Sequence, residues 1–362
     1  MASTVKAPPK QKAAPYSTST SQPITGAEAL VKCLEACGVE YIFGYSGGAA
    51  IPIFDALVTT KTKIKLIAAR HEQGAAHMAD GYARVSGKPG VVLVTSGPGA
   101  GNVITGLMTA KMDSVPMIVI SGQQVSSMLG TDAFQEADVL SLSMPVVKHN
   151  YLVLDTNDIA STVFEAFDIA SSGRPGPVLI DLPKDVSSGA FTGALKPTRS
   201  FTQHAMKTPD IEAVSAIAEH LSTAKRPVIL AGHGVLIAGA EQELRLAAAQ
   251  FDTPVVTTLL GKGAVDETHD LSLGMLGMHG TAYANKAIQE ADFILNVGSR
   301  FDDRIVGDPA GFSKDKTIAH VDIDGGELGK IVQPDITVQA DAGAFLQALA
   351  AVDTTARHTA WR

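Results

Sequence analysis

Apolar and polar positions along this chain keep two rhythms that take turns. From residue 24 onward, short apolar and β-branched runs are followed by longer stretches in which apolar residues return every three or four positions. That is the pattern of strands and helices alternating around a parallel sheet. The runs predict strands near 41–45, 64–68, 91–95, 117–121 and 177–182, and, after an interruption, near 228–231, 254–258, 293–297 and 318–323. The interruption, 192–208, mixes Gly, Pro, Thr, Lys and Gln without periodicity and reads as a linker. The fold class that follows is α/β, with two doubly wound, mainly parallel-sheet domains at 23–191 and 209–353 and the start of a further linker at 354–362. No internal repeat at solenoid period is present.

The seam between two of these elements carries an acid. The run "KIKLIAA" predicts a buried strand, and Ala75, Met78, Ala79, Tyr82 and Ala83 after it share one helical face, with Glu72 between the two. In an open parallel sheet, ligands bind beyond the carboxyl ends of the strands, so a carboxylate at that point is placed to touch one. A first-turn Glu complementing the helix dipole is the plainer reading of this segment alone, and the rest of the chain has to decide between the two.

Two glycine loops follow predicted strands. One is "GYSGGAAIP", where Gly47 and Gly48 let backbone approach a ligand, and the other is "TSGPGAGN". Neither is a Walker loop, and tight turns explain each as readily. In the second half, "AGHGVLIAGA" places Gly232 and Gly234 after a strand, half of a dinucleotide fingerprint without the acid about 20 residues on, which disfavours a nicotinamide dehydrogenase. With "LGMHGT", "VGSRFDDR" and "VDIDGGELGK" at successive strand ends, the set points to a nucleotide-like ligand.

Composition narrows this further. Of 362 residues, 45% are hydrophobic and 18% charged, with a net charge of −8 and no Lys/Arg cluster, which excludes a nucleic-acid surface. No apolar run approaches the roughly 18 residues that span a bilayer, so no membrane insertion is expected. Cys33 and Cys37 fall on one helix face without further ligands, so they are read as core residues and no metal site is predicted. Residues 1–22 are rich in Pro, Ser, Thr, Lys and Ala and hold no acid, the composition of a disordered tail. An organellar transit peptide is the alternative, and the absence of Arg weighs against it.

Taken in order, "FGYSGGAA", "RHEQGAAHMADGYAR", "TSGPGAGN", "DSVPMIVISGQ", "GTDAFQEAD", "PVVKHN", "GRPGPVLIDLPKDV", "GMHGT", "RFDDR" and "VDIDGGELGK" closely resemble the catalytic subunit of the acetolactate synthase family, from about residue 24 to the C-terminus. The resemblance implies thiamine diphosphate as cofactor. It implies that Glu72 hydrogen-bonds the aminopyrimidine ring nitrogen and favours the imino tautomer, whose exocyclic nitrogen takes the thiazolium C2 proton. Pyruvate is then decarboxylated and joined to a second 2-ketoacid, such as 2-ketobutyrate, in branched-chain amino acid biosynthesis. By the same resemblance, Pro98 and Asn102 lie near the pyrimidine and Gly47 and Gly48 near the reacting centre, Gln135 hydrogen-bonds the bound intermediate, and Phe134 and Lys184 line the substrate entry.

The family's second domain holds FAD, without net redox change. The matching residues are Ser114 and Arg174, the latter a diphosphate contact, then Gly232, Thr258 and Leu259, and Leu276, Gly277, Met278 and His279 of "LGMHGT". Gly298, Ser299, Arg300, Phe301, Asp302 and Asp303 of "VGSRFDDR" follow, with Asp322, Ile323 and Asp341. A homodimer or homotetramer and a small regulatory subunit are implied partners. Cytoplasmic location is implied, or a plastid or mitochondrion if the tail is a transit peptide.

Departures are few. Ser46 stands where the family usually has Pro, Gly101 where Thr is usual, and Val125 where Pro or Ala is common. The larger departure is that family members hold Mg²⁺ and the cofactor diphosphate on a third domain with a Gly-Asp-Gly motif, and no Gly-Asp-Gly occurs here. The expectation is a fragment that does not turn over pyruvate alone. The competing readings are another thiamine enzyme, of pyruvate oxidase or 2-ketoacid decarboxylase type, and a non-catalytic nucleotide-binding protein, against which the retained Glu72, Gln135 and Lys184 argue.

Overall fold

The computed structural model describes residues 23–196 and 207–361. The tail 1–22, the stretch 197–206 of the predicted linker, and Arg362 lie outside the described residues. The chain divides into two compact units, Met1–His204 and Ala205–Arg362.

In the first unit the strands are β1 (Ile24–Thr25), β2 (Tyr41–Gly44), β3 (Lys65–Ala68), β4 (Gly90–Val94), β5 (Met117–Gln123), β6 (His149–Leu152), β7 (Pro177–Pro183) and β8 (Ala190–Phe191). Six of them form a parallel sheet in the order β3-β2-β4-β5-β7-β6, and β1 and β8 pair antiparallel apart from it. Central strands such as "GVVLV" show no alternation because helices cover both faces. Val91 and Leu93 enter one apolar cluster, Val92 and Val94 the other. The strand order reverses between β2 and β4, which opens a crevice beyond their carboxyl ends.

Two expectations are corrected here. The run predicted as a buried strand is β3, an edge strand exposed along its length, with Leu66 at 40% and Ile67 at 37%. An apolar run does not say whether a strand has a neighbour on both sides. The helix after it, Glu72–Ser86, buries Ala75, Ala76, Ala79, Asp80 and Ala83, whereas Met78 is 42% exposed. This helix packs so closely on helix Ile104–Asp113 that a Cβ on Gly106 would lie 2.3 Å from the Ala76 Cβ, which admits alanines and leaves no room for Met.

The second unit has β9 (Pro227–Ala231), β10 (Val255–Thr257), β11 (Ser272–Met275), β12 (Phe293–Val297), β13 (Thr317–Asp322) and β14 (Ile336–Gln339). All are parallel, in the order β11-β10-β9-β12-β13-β14. Its first strand sits in the middle and the order reverses between β9 and β12, the arrangement of doubly wound nucleotide-binding sheets. Within the two six-stranded sheets, the unpredicted strands β6, β11 and β14 are all edges, and the short pair β1 and β8 is unpredicted as well.

Residues 354–361, expected as the start of a linker, fold onto this unit. The His358 N–H donates to the Asp252 carboxylate at 2.8 Å, its Nε2 meets the Leu221 carbonyl at 2.9 Å, and the Trp361 indole N–H donates to the Pro227 carbonyl at 2.9 Å. Docking by hydrogen bonds to single backbone groups leaves no periodicity to read. Among the described residues no helix is long and apolar enough to cross a membrane.

Candidate functional site

The crevice at the β2/β4 reversal is built around Glu72. His71 caps helix Glu72–Ser86, its Nδ1 accepting the Gln73 N–H at 3.1 Å, so Glu72 is the first helical residue and is only 8% exposed. Asn102 Nδ2 donates to Glu72 Oε2 at 2.9 Å, and Oε1 has no hydrogen-bond partner among the described residues. One oxygen is held and the other is presented.

The glycine loops close on this carboxylate through Thr95, a residue the sequence does not single out. A Cβ on Gly47 would lie 2.5 Å from Thr95 Cγ2, one on Gly99 would lie 2.8 Å from the same atom and 3.4 Å from Glu72 Oε1, and the Ala49 N–H donates to Thr95 Oγ1 at 3.3 Å. A Cβ on Gly48 would meet nothing within 4 Å, so that backbone faces open space. Gly97 has φ +56°, and a Cβ on it would sit 2.5 Å from the Gln135 carbonyl, which brings Gln135 against the turn that carries Pro98 and Asn102. The structure thus gathers Gly47, Gly48, Glu72, Pro98, Asn102 and Gln135 at one strand reversal. Phe134 is 83% exposed beside Gln135. Lys184, also exposed, opens the short helix Lys184–Ser188 after β7, and no hydrogen bond among the described residues ties it to the Glu72 group.

The loop bearing Phe134 and Gln135 is fastened from two sides. The Glu136 carboxylate accepts the N–H groups of Thr131 at 3.2 Å and Ala133 at 3.1 Å together with that of Gly130, and these bonds hold it below the usual carboxylate range. Beneath the loop, Asp181 of β7 is 1% exposed and accepts from Ser121 Oγ at 2.6 Å and Gln123 Nε2 at 2.9 Å. The same Gln123 amide donates to the Ala137 carbonyl at 2.9 Å, and Gln124 donates to that of Phe134 at 2.7 Å. Burial pushes the Asp181 carboxyl up to about 7, against the pull of its two donors. The one sign of this residue in the sequence is an acid inside the apolar run "PVLIDLP".

In the second unit the predicted residues stand after successive strands. Gly232 follows β9, Thr258 and Leu259 follow β10, Leu276 to His279 follow β11, Gly298 to Asp303 follow β12, Asp322 and Ile323 close β13, and Asp341 follows β14. Several have structural work of their own. A Cβ on Gly232 would lie 2.2 Å from the Gly298 carbonyl, and the Gly234 N–H donates to that carbonyl at 3.0 Å, so these glycines let two turns cross at the β9/β12 reversal. Phe301 is 1% exposed and Leu276 4%, both inside the apolar cluster beneath the loops. Asp341 caps helix Ala342–Ala350 through the Ala344 N–H at 3.0 Å, Asp322 accepts the Asp324 N–H at 2.9 Å, and Thr258 Oγ1 accepts that of Gly261 at 3.0 Å. At the surface, Leu259 and Met278 are 66% and 72% exposed, His279 and Asp303 are exposed, and Arg300 lies 3.8 Å from Asp302. In the first unit, Arg174 Nε donates to Ser114 Oγ at 2.9 Å, with Ser114 left-handed at φ +60°. Among the described residues no group of three His, Cys, Asp or Glu side chains could hold a metal ion.

Residues 24–142 match the thiamine pyrophosphate enzyme N-terminal TPP binding domain, and residues 214–349 match the thiamine pyrophosphate enzyme central domain. The chain is 47% identical over 329 residues to the acetolactate synthase large subunit of Lactococcus lactis subsp. lactis, covering 91% of this chain and 57% of that protein. It is 48% identical over 333 residues to the acetolactate synthase large subunit of Parasynechococcus marenigrum, covering 90% and 54%. It is 45% identical over 327 residues to that of Corynebacterium glutamicum, covering 90% and 52%. The chain therefore spans about half the length of the curated relatives it matches. With a buried carboxylate at one strand reversal and a second doubly wound parallel sheet in the other unit, this chain belongs to the thiamine pyrophosphate enzymes, of which it carries the N-terminal and central domains.

Proposed function

We propose that this chain forms the pyrimidine-binding and nucleotide-binding parts of an acetolactate synthase that joins pyruvate to a second 2-ketoacid, 2-ketobutyrate among them, on the route to branched-chain amino acids. The observation that carries the reading is Glu72, buried at the first turn of its helix with Oε2 held by Asn102 and Oε1 without a hydrogen-bond partner among the described residues. When bound, thiamine diphosphate supplies the carbon nucleophile and the electron sink for decarboxylation and carbon–carbon bond formation. Glu72 Oε1 would hold a proton at the pyrimidine ring nitrogen, and burial beside Thr95 and Gly99 keeps bulk water from competing for it. The Gln135 amide would bind a substrate oxygen, and the exposed Phe134 and Lys184 would line the substrate entry, where the Lys184 charge would draw the ketoacid carboxylate.

FAD fits the second unit as a structural ligand. Supporting this are the strand reversal at β9/β12, the exposed apolar Leu259 and Met278 for a flat ring system, and Arg300 for phosphate. We assign Mg²⁺ and the diphosphate to residues outside these two units. Assembly as a homodimer or homotetramer belongs to the same reading. It is supported by Met78, Val85, Met108 and Met112, exposed on the packed helices Glu72–Ser86 and Ile104–Asp113. The test is to join the chain to the C-terminal third of a relative and supply pyruvate, thiamine diphosphate, Mg²⁺ and FAD. The joined protein forms acetolactate and the chain by itself does not. A correctly folded joined protein that binds the cofactors and leaves pyruvate unchanged contradicts the reading.

A further inference from the structure

The turn after β12 is gripped from below by two buried polar side chains. Asn296 and His320 are register partners on β12 and β13, both fully buried, on the sheet face that also carries Leu230, Ile294 and Ile318. Asn296 Nδ2 donates to the Ser299 carbonyl at 2.7 Å, and His320 Nε2 meets the same carbonyl at 2.9 Å. Burial lowers His320 to about 4, so at neutral pH the ring is uncharged, and its one proton belongs on Nε2, the nitrogen that faces an acceptor. Asn296 Oδ1 and His320 Nδ1 are buried with no hydrogen-bond partner among the described residues. Apolar side chains of similar size would carry no such penalty, which asks for a reason to have polar groups here.

Two donors on one carbonyl fix the direction of the Ser299–Arg300 peptide. In a planar trans peptide the carbonyl and the following N–H point opposite ways, so with the Ser299 carbonyl drawn onto the sheet face the Arg300 N–H is turned away from it. Among the described residues no acceptor meets that N–H. The turn is pinned on both sides: Gly298 and Phe301 are left-handed at φ +65° and +55°, and the buried Phe301 ring stands edge-on to His320 at 5.0 Å.

We propose that Asn296 and His320 are positioning residues for nucleotide recognition. They hold the Ser299–Arg300 peptide so that the Arg300 N–H, beside its own guanidinium, donates to an anionic phosphate oxygen of a ligand at the β9/β12 reversal. Neither residue touches the ligand. The inference rests on the nucleotide reading of this unit and deepens it.

FAD is the probe, titrated into the whole chain with quenching of flavin fluorescence as the readout and thermal unfolding of the unliganded protein beside it. His320→Phe keeps a ring against Phe301 and removes the donor, whereas His320→Gln keeps an N–H within reach of the carbonyl. The expected result is about tenfold weaker FAD binding in His320→Phe with the melting temperature maintained or raised, and recovery of most of that loss in His320→Gln. Should His320→Phe fail to fold, Asn296→Ala carries the same test: about tenfold weaker binding supports the proposal and unchanged binding overturns it. Equal affinity in His320→Phe and the unsubstituted chain overturns the proposal and leaves the nucleotide reading standing. Affinity and stability lost together, without rescue by Gln, reduce the pair to a structural role and overturn it as well. No FAD binding by the unsubstituted chain overturns the nucleotide reading itself, and this inference with it.

Discussion

Asp181 and Glu72 are both buried carboxylates in the first unit, and their surroundings give them different tasks. Among the described residues Glu72 meets one side-chain donor and keeps an oxygen open, whereas the two oxygens of Asp181 accept from Ser121 and Gln123. Burial raises Asp181 to about 7, above its unfolded value near 4, so between those values the folded protein binds a proton that the unfolded chain releases. Stability contributed at this site is therefore present at low pH and falls as pH rises through that window. Asp181→Asn, measured by urea unfolding from pH 4 to 8, should gain on the parent as pH rises, by at most about 4 kcal/mol. A difference that does not change with pH would mean Asp181 is ionised throughout. Glu72 was legible because an acid at a strand-to-helix seam is conspicuous. Thr95, Gln123 and Asp181 were not, because their work is to brace loops that only the folded sheet brings together.

Among elements, legibility tracked position in the sheet. Central strands announced themselves as mainly apolar runs without alternation, since burial on both faces favours apolar residues at most positions, with Asp181 in β7 and Asn296 in β12 among the buried exceptions. Edges behaved otherwise: β6, β11 and β14 carry too little apolar signal to be noticed, and β3 carries enough to be mistaken for a central strand. The helix pair in front of the first sheet owes its close approach to Gly106 against Ala76, one turn after Glu72. Gly106→Val should force these helices apart, cost about 2 kcal/mol in urea unfolding, and loosen the Glu72–Asn102 contact. Unchanged stability would show that the helices have slack at this crossing.

At the scale of the whole molecule, two doubly wound sheets each reverse strand order once; the first reversal brings Gly47, Gly48, Glu72, Pro98, Asn102 and Gln135 together, and at the second the turns of Gly232 and Gly298 cross. The fold class was readable because alternating βα units leave few arrangements that bury their apolar faces. The docking of 354–361 was not, because His358 and Trp361 attach through individual hydrogen bonds. The family resemblance covered both units, and the chain spans about half of its curated relatives, so the chemistry has to be measured in the joined protein. The proposed function rests on activation of the thiamine ring by Glu72. Its most direct measurement is the rate at which the thiazolium C2 proton of bound thiamine diphosphate exchanges with deuterium, followed by NMR after acid quench, in the joined protein and in its Glu72→Gln variant. The account predicts exchange slower by about 10²- to 10⁴-fold in the variant at saturating cofactor, and exchange at the parent's rate would contradict it.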